Sequence, residues 1–378
     1  MKSVKFAIIG CGLMGREFAS AAARWMHLLG DIPRPEIIAV CDTNEHNLHW
    51  FTKHISSLQY SFTDYNELLS IPEVEAVYCA VPHIIHEEIY TKAIRAGKHL
   101  LGEKPFGIDQ AANANILKAA AERPELVVRC ASEFPYFPAM QTIISWIQEG
   151  KFGRTLEVKV GFCHSSDMDR NKPIHWKRKA SINGEYGCMG DLGIHTQHVP
   201  FRMGFRPVNV LAKLSKFINE RPDGKGGMTP CDTWDNATLV CDAFDQTGNV
   251  FPMFFETKRM APGCTDNWYF EIYGMECSAR FTSDNPNVLS YTVDWGKEQA
   301  WANINLGYKP LFPTVTGSIF EFGFTDAILQ MWAAYMSELA GLPVSFPCFT
   351  PDETRLSHAV YTAALESHIK KTIITLNE

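Results

Sequence analysis

A strand that runs straight into a glycine-rich turn and then a helix admits few folds, and this chain opens on one. KFAIIGCGLMGREFASAAARWMHLLG is an unbroken apolar run, then Gly10-Cys11-Gly12-Leu13-Met14-Gly15, then an alanine-rich helical pattern. In such a turn the first glycine makes the tight bend and the second lets the backbone approach a pyrophosphate. The third allows close packing of helix on strand, and the helix N-terminus faces the phosphates. The competing reading is a glycine-rich packing turn, from which a lone GxGxxG would not be separable. Here the flanking strand and helix favour a dinucleotide turn, with Gly10, Gly12, Leu13, Met14 and Gly15 as cofactor-binding residues.

A second buried strand, EIIAVCD, ends in Asp42. A carboxylate there accepts hydrogen bonds from the adenosine ribose hydroxyls and repels a 2′-phosphate. Thr43 and Asn44 supply no arginine to neutralise such a phosphate, so the pattern favours NAD over NADP. Helical patterns follow at 45–55, TDYNELLS, HEEIYTKAIRAG and DQAANANILKAAAE, and strands at AVYCAVP, HLLGEKP and LVVRCAS. Strands alternating with helices predict a parallel, doubly wound sheet of the Rossmann type, placed at residues 1–130.

Two strand ends on its ligand edge carry reactive side chains. GEKPFG places Lys104 between a strand and Pro105, and proline pushes its predecessor out of the helical region. The lysine is therefore presented from an extended or turn backbone, for which a cis Lys104–Pro105 bond is one expected device. Just past another strand stands Pro82-His83-Ile84-Ile85-His86. Its HxxH spacing fits zinc only if a third ligand exists, and none lies nearby, so no metal is expected. His86 is read instead as lining the nicotinamide ribose pocket.

From about residue 131 the pattern changes. TLEVKVGFCH, VNVLAKLSKF, NATLVCDAF, VFPMFFETKR, WYFEIYGMECSARF and LSYTVDW alternate apolar with polar between turn residues. They predict an α+β domain over 131–378 with a large open, mainly antiparallel sheet, whose second apolar face would support a homo-oligomer, a dimer or tetramer. NERPDGKGGMTPCD reads as a mobile loop and DETRLSHAVYTAALESHIKKTI as an amphipathic helix. In EYGCMGDLGIHTQHVPFRMG, glycines lead into a helix that carries Asp191 and His195 four apart, on one face with His198. A carboxylate beside an imidazole orients it and raises its basicity, which suits a general base. The competing reading is an Asp–His pair that only caps the helix.

Composition narrows the partners. With 378 residues the chain has room for two domains, and its net charge of -7 argues against nucleic acid or an anionic membrane. Its eleven cysteines are scattered, which fits reduced thiols in a cytoplasmic protein, and a strand at the very N-terminus leaves no room for a leader.

Five features in order resemble the glucose–fructose oxidoreductase / inositol dehydrogenase / MocA family: the N-terminal GxGxxG, the strand-end Asp42, P-x-x-x-H at 82–86, E-K-P at 103–105 and D-x-x-x-H at 191–195. The resemblance runs from residue 5 to about 200, and the open sheet beyond fits it. It implies an NAD(P)-dependent dehydrogenase acting on a CH–OH group of a cyclic sugar, polyol, inositol or glycoside. In it Lys104 would hydrogen-bond the reacting oxygen, His195 would be the acid/base and Asp191 its partner. Pro82, His86 and Glu103 would join the cofactor contacts. All three catalytic residues would converge on the reacting carbon, with Lys104 and His195 both reaching one substrate oxygen, where the lysine's charge would depress the histidine's pKa. Some family members act instead as NAD-dependent glycosidases through transient oxidation. A ligand-sensing regulator with a dead site would have lost the lysine or histidine, and both are present.

The chain departs from the family pattern at His83 (usually Asn), at His198 (often Asp), and at SEFPYFPAM, with Glu133 and Pro135 in place of an Asn/Arg-rich segment. These positions would face nicotinamide or substrate. Trp176, Trp234, Trp268 and Trp301 offer flat faces to a sugar, though most are expected in the core.

Overall fold

The computed structural model describes residues 2–293, 299–306, 309–317 and 322–376. It opens on β1 (Ser3–Ile9), α1 (Leu13–Ala23), β2 (Arg34–Cys41), α2 (Glu45–His54), β3 (Tyr60–Phe62) and α3 (Tyr65–Leu69). Then come β4 (Ala76–Cys79), α4 (His86–Arg95), β5 (His99–Gly102), α5 (Gln110–Ala121) and β6 (Val128–Cys130). All six strands pair in parallel, in the order β3-β2-β1-β4-β5-β6, so the winding reverses between β1 and β4. This is the expected doubly wound Rossmann sheet. A sheet covered on both faces needs strands that are apolar throughout, and all four residues of β4 are buried. Asn44, Asp64 and Asp109 start their helices by accepting from His46, Asn66 and Ala112 N–H groups.

The second half begins with α6 (Pro138–Gln148), β7 (Thr155–Cys163), α7 (Ala180–Asn183) and α8 (Cys188–Arg202). Strands β8 (Arg206–Pro207), β9 (Asn209–Ser215), β10 (Glu220–Pro222), β11 (Met228–Pro230), β12 (Asn236–Phe244) and β13 (Val250–Lys258) follow. The rest is β14 (Asn267–Gly274), β15 (Cys277–Thr282), β16 (Val288–Val293), β17 (Ala302–Asn305), α9 (Phe324–Leu339), α10 (Pro351–Lys370) and β18 (Ile374–Thr375). Asp294 and Trp295 of the predicted strand LSYTVDW lie outside the described residues.

The large sheet runs β17-β16-β15-β14-β7-β13-β12-β9-β18, with β8 on β12. It is mixed: β7 and β13 pair in parallel and their neighbours antiparallel. Alternation reports which face a side chain takes but not strand direction, so this pair was not legible. The less buried face mixes apolar side chains, with Leu211 and Val250 exposed, and charged ones. It carries the ion pairs Glu157–Lys159 and Glu256–Lys258, both at 2.7 Å, and Tyr269 donates to Glu256 at 2.7 Å.

The chain forms two compact units, Met1–Tyr136 with Leu311–Gly317 and Gly323–Arg355, and Phe137–Pro310 with Ser318–Phe322 and Leu356–Glu378. This differs from a single cut at 130/131 because α9 returns to the first unit. Its Trp332 stacks on Phe18 at 3.6 Å and meets Phe6 edge-on at 5.6 Å, while Asp326 and Glu338 pair with Arg24 and Arg129. NERPDGKGGMTPCD, expected as a mobile loop, forms the antiparallel hairpin β10/β11. Among the described residues no helix is long and apolar enough to cross a membrane, and all eleven cysteines are free thiols.

Candidate active site

The turn after β1 has the form its sequence predicts. Gly10 has a φ of 96°, and a Cβ on it would lie 2.2 Å from the Ala80 carbonyl oxygen. A Cβ on Gly15 would lie 2.2 Å from Gly10 O, which closes helix on strand. Gly12 is different: nothing lies within 4 Å of its would-be Cβ, and it begins α1 without any side-chain cap. The first amides of this helix are thus left open over a cradle that a side chain would fill, with Leu13 exposed beside it and Met14 partly buried. That arrangement fits the pyrophosphate of a dinucleotide.

Asp42, expected at the ribose, follows β2 and is partly buried. Its carboxylate accepts from Cys11 N at 2.8 Å, Asn44 N at 2.8 Å and Asn47 Nδ2 at 3.2 Å, so it also braces the glycine turn. Asp42→Ala is therefore expected to lower NAD affinity several-fold and to shrink the preference for NAD over NADP by about tenfold or more. An unchanged ratio of kcat/KM for the two cofactors would show that Asp42 does not read the ribose.

Lys104 is held by its neighbours. The Lys104–Pro105 bond is cis. Gly102 leaves room for the Tyr90 ring, which would stand 2.6 Å from a Cβ, and Tyr90 donates to Glu103 O at 2.7 Å. Glu103 N donates to Cys79 O at 2.9 Å, and Asn113 Nδ2 to Phe106 O at 2.7 Å. Two residues expected at the cofactor also brace this turn. Glu103 is buried and accepts from Tyr78 Oη at 2.7 Å. His86, fully buried, sets Nδ1 2.7 Å from Pro105 O and Nε2 2.9 Å from Val81 O, so main-chain carbonyls face both nitrogens. Burial, with the Lys104 charge adding to it, holds the His86 pKa down to about 4, so the ring is neutral and donates to one carbonyl only. Pro82 is partly buried in the turn that leads to it, and His83 and Glu133 are buried in the same unit. Among the described residues no group of three His, Cys, Asp or Glu side chains could hold a metal ion.

In the second unit α8 is buried from Cys188 to Phe201 and carries Asp191, His195 and His198. Gly187, with φ 58°, begins it where a Cβ would lie 2.6 Å from Trp234 N, and Gly193 leaves room for Tyr361 of α10. His195 is fixed from two sides. Trp268 Nε1 donates to its carbonyl at 2.9 Å, and its ring meets Phe162 edge-on at 5.5 Å.

Asp191, one turn before His195, carries two cations that the sequence reading missed. Lys177 Nζ lies 2.8 and 3.1 Å from its two oxygens, and the buried Arg259 reaches Oδ2 through Nε at 3.3 Å and Nη2 at 3.2 Å. Arg259 also donates to Lys177 O at 3.0 Å and Asn183 Oδ1 at 3.1 Å. No local motif marks either cation, because Arg259 leaves the end of β13 and meets α8 only through the fold. His164, at the end of β7, has Nδ1 2.8 Å from Ser166 Oγ, and burial holds its pKa down to about 4. Of the four tryptophans only Trp268 is in the core. Trp176 and Trp234 are partly buried and Trp301 is exposed, against the expectation that most would be core.

A model of an oxidoreductase family with an NAD-binding Rossmann fold (GFO/IDH/MocA) matches residues 4–132, and the GFO/IDH/MocA C-terminal domain matches residues 140–280. Glucose-6-phosphate 3-dehydrogenase of Bacillus subtilis is 30% identical over 75% of this chain and 76% of its own. Levoglucosan dehydrogenase of Pseudarthrobacter phenanthrenivorans is 27% identical over 79% of this chain and 78% of its own. Among solved structures, levoglucosan dehydrogenase with NADH and levoglucosan covers all of both chains at 22% identity, with a TM-score of 0.86.

Proposed function

This chain belongs to the GFO/IDH/MocA family of oxidoreductases, whose first domain is an NAD-binding Rossmann fold, and within it we propose a dehydrogenase that oxidises a secondary alcohol of a cyclic sugar, polyol or glycoside. Relatives named for levoglucosan, glucose 6-phosphate and D-apiose support that substrate class. The observation that carries the reading is Asp191. Its buried carboxylate stands one turn before an imidazole, and Lys177 and Arg259 paired with it offset the cost of burying it there.

In this mechanism bound NAD supplies the hydride acceptor. The first-turn amides of α1, beyond Gly12, and Asp42 hold and orient it. His195 accepts the proton of the substrate hydroxyl as the C–H bond yields its hydride. The Lys104 ammonium stabilises the oxygen as negative charge develops on it. Asp191, held by Lys177 and Arg259 one turn before His195, is the positioning partner of the imidazole. Reduction of the ketone reverses each transfer.

A panel of inositols, aldoses, anhydrosugars and glycosides with NAD, followed as NADH absorbance, tests the reading. At least one cyclic sugar or polyol should give stoichiometric NADH. Release of an aglycone without net NADH would replace the dehydrogenase with a glycosidase that oxidises only transiently.

A further inference from the structure

The connection between β9 and β12 is far longer than the fold requires. These strands are antiparallel neighbours, which roughly 2–5 residues suffice to join, yet residues 216–235 run out into the hairpin β10/β11 and back. Arg221 of that hairpin is buried, and its guanidinium collects main-chain carbonyls from a single segment. Nη1 donates to Asp169 O at 2.6 Å and Lys172 O at 3.2 Å, and Nη2 to Asp167 O at 2.6 Å. Ile174 N adds a bond to Pro222 O at 2.8 Å.

The segment so gripped starts and finishes at the candidate site. At its start, His164 N donates to Lys258 O at 2.9 Å, next to Arg259, and its carbonyl accepts from Ala261 N at 3.1 Å. At its end, Lys177 binds Asp191. Between them, residues 164–175 form no helix or strand, so nothing regular in the backbone sets their course. Burying a cation against carbonyls alone is a weak way to add stability, because its desolvation offsets much of the gain. It does fix three peptide groups in one geometry, as a rigid fork of donors can.

We infer that residues 164–177 form the substrate-selecting wall of this site and that Arg221 is the positioning residue that sets its shape. This rests on the dehydrogenase reading above. Arg221 touches no reacting atom, so its removal should act on sugar binding and leave proton and hydride transfer in place.

The test uses the full chain with NAD and a sugar that the panel shows to be oxidised. Arg221→Ala should raise KM for that sugar about tenfold or more, change kcat less than threefold, leave the NAD dissociation constant unaltered and reorder the panel. Arg221→Lys, which keeps the charge but not the fork, should recover only part of the loss. An unchanged KM and panel order would overturn the inference while leaving the dehydrogenase intact, and so would an equal fall in kcat and kcat/KM. If Arg221→Ala does not fold, amide hydrogen exchange of the wild-type protein with NADH decides. Adding the sugar should protect 164–177, and protection elsewhere with none there would overturn the inference. The same exchange measurement with panel sugars still reads the wall if none yields NADH, an outcome that by itself removes only the dehydrogenase reading.

Discussion

Lys104→Ala and His195→Ala are each expected to lower kcat by a hundredfold or more, about 2.7 kcal/mol of barrier, while NAD affinity stays within about twofold of wild type. The loss falls on kcat because both groups act on charge that exists only as the hydroxyl proton leaves. Lys104 stands in a turn fixed by Tyr90, Glu103, His86 and Asn113, and its removal leaves those bonds intact. His195 is held through its carbonyl by Trp268, which survives substitution of the ring. Asp191→Asn is expected to cost less in kcat and more in stability, since the buried Arg259 would lose its carboxylate. Steady-state kinetics on the true substrate, with NAD binding followed by fluorescence, checks all three. Full turnover by either alanine variant would sink the mechanism.

Asp235→Ala should be the most destabilising single change outside the site, by about 3–5 kcal/mol, because it leaves a buried cation with only Asp167 to offset its charge. Asp235 is fully buried and pairs with Arg178, which is equally buried and also reaches Asp167 at 3.1 Å. The same carboxylate accepts from Phe217 N at 2.5 Å and Ile218 N at 3.3 Å, so the start of the long β9–β12 connection loosens too. Urea unfolding should show a lower midpoint with little change in slope. The double change Asp235→Leu with Arg178→Met should recover much of the loss, as apolar replacement of a buried pair often does. A midpoint within error of wild type in Asp235→Ala would show that water already reaches Arg178.

Much of the first unit was legible because its signals are local. A run such as AIIG or AVYC can be covered on both faces only in a parallel sheet, and caps such as Asp64 and Asp109 act within three residues. The lysine before Pro105 and the glycines before α8 are local in the same sense. The bonds that His86 and Glu103 make are not local. Motif spacing puts both residues beside the Lys104 turn, and only packing turns their polar atoms to Pro105 O, Val81 O and Tyr78 Oη.

By itself, then, the sequence determined the doubly wound sheet, the glycine turn over α1, the strand-end lysine and the helix carrying Asp191 and His195, since each is encoded by residues within a few positions of one another. Only the tertiary structure decided the parallel pairing of β7 with β13, the return of α9 to the first unit and the ion pairs on the large sheet's outer face. It also decided that Lys177 and Arg259 meet at Asp191 and that Arg221 holds 164–177. Those depend on pairs far apart in the chain, such as Arg259 on Asp191 and Trp332 on Phe18. A periodicity records which face of an element is buried, and it does not record what is buried against it.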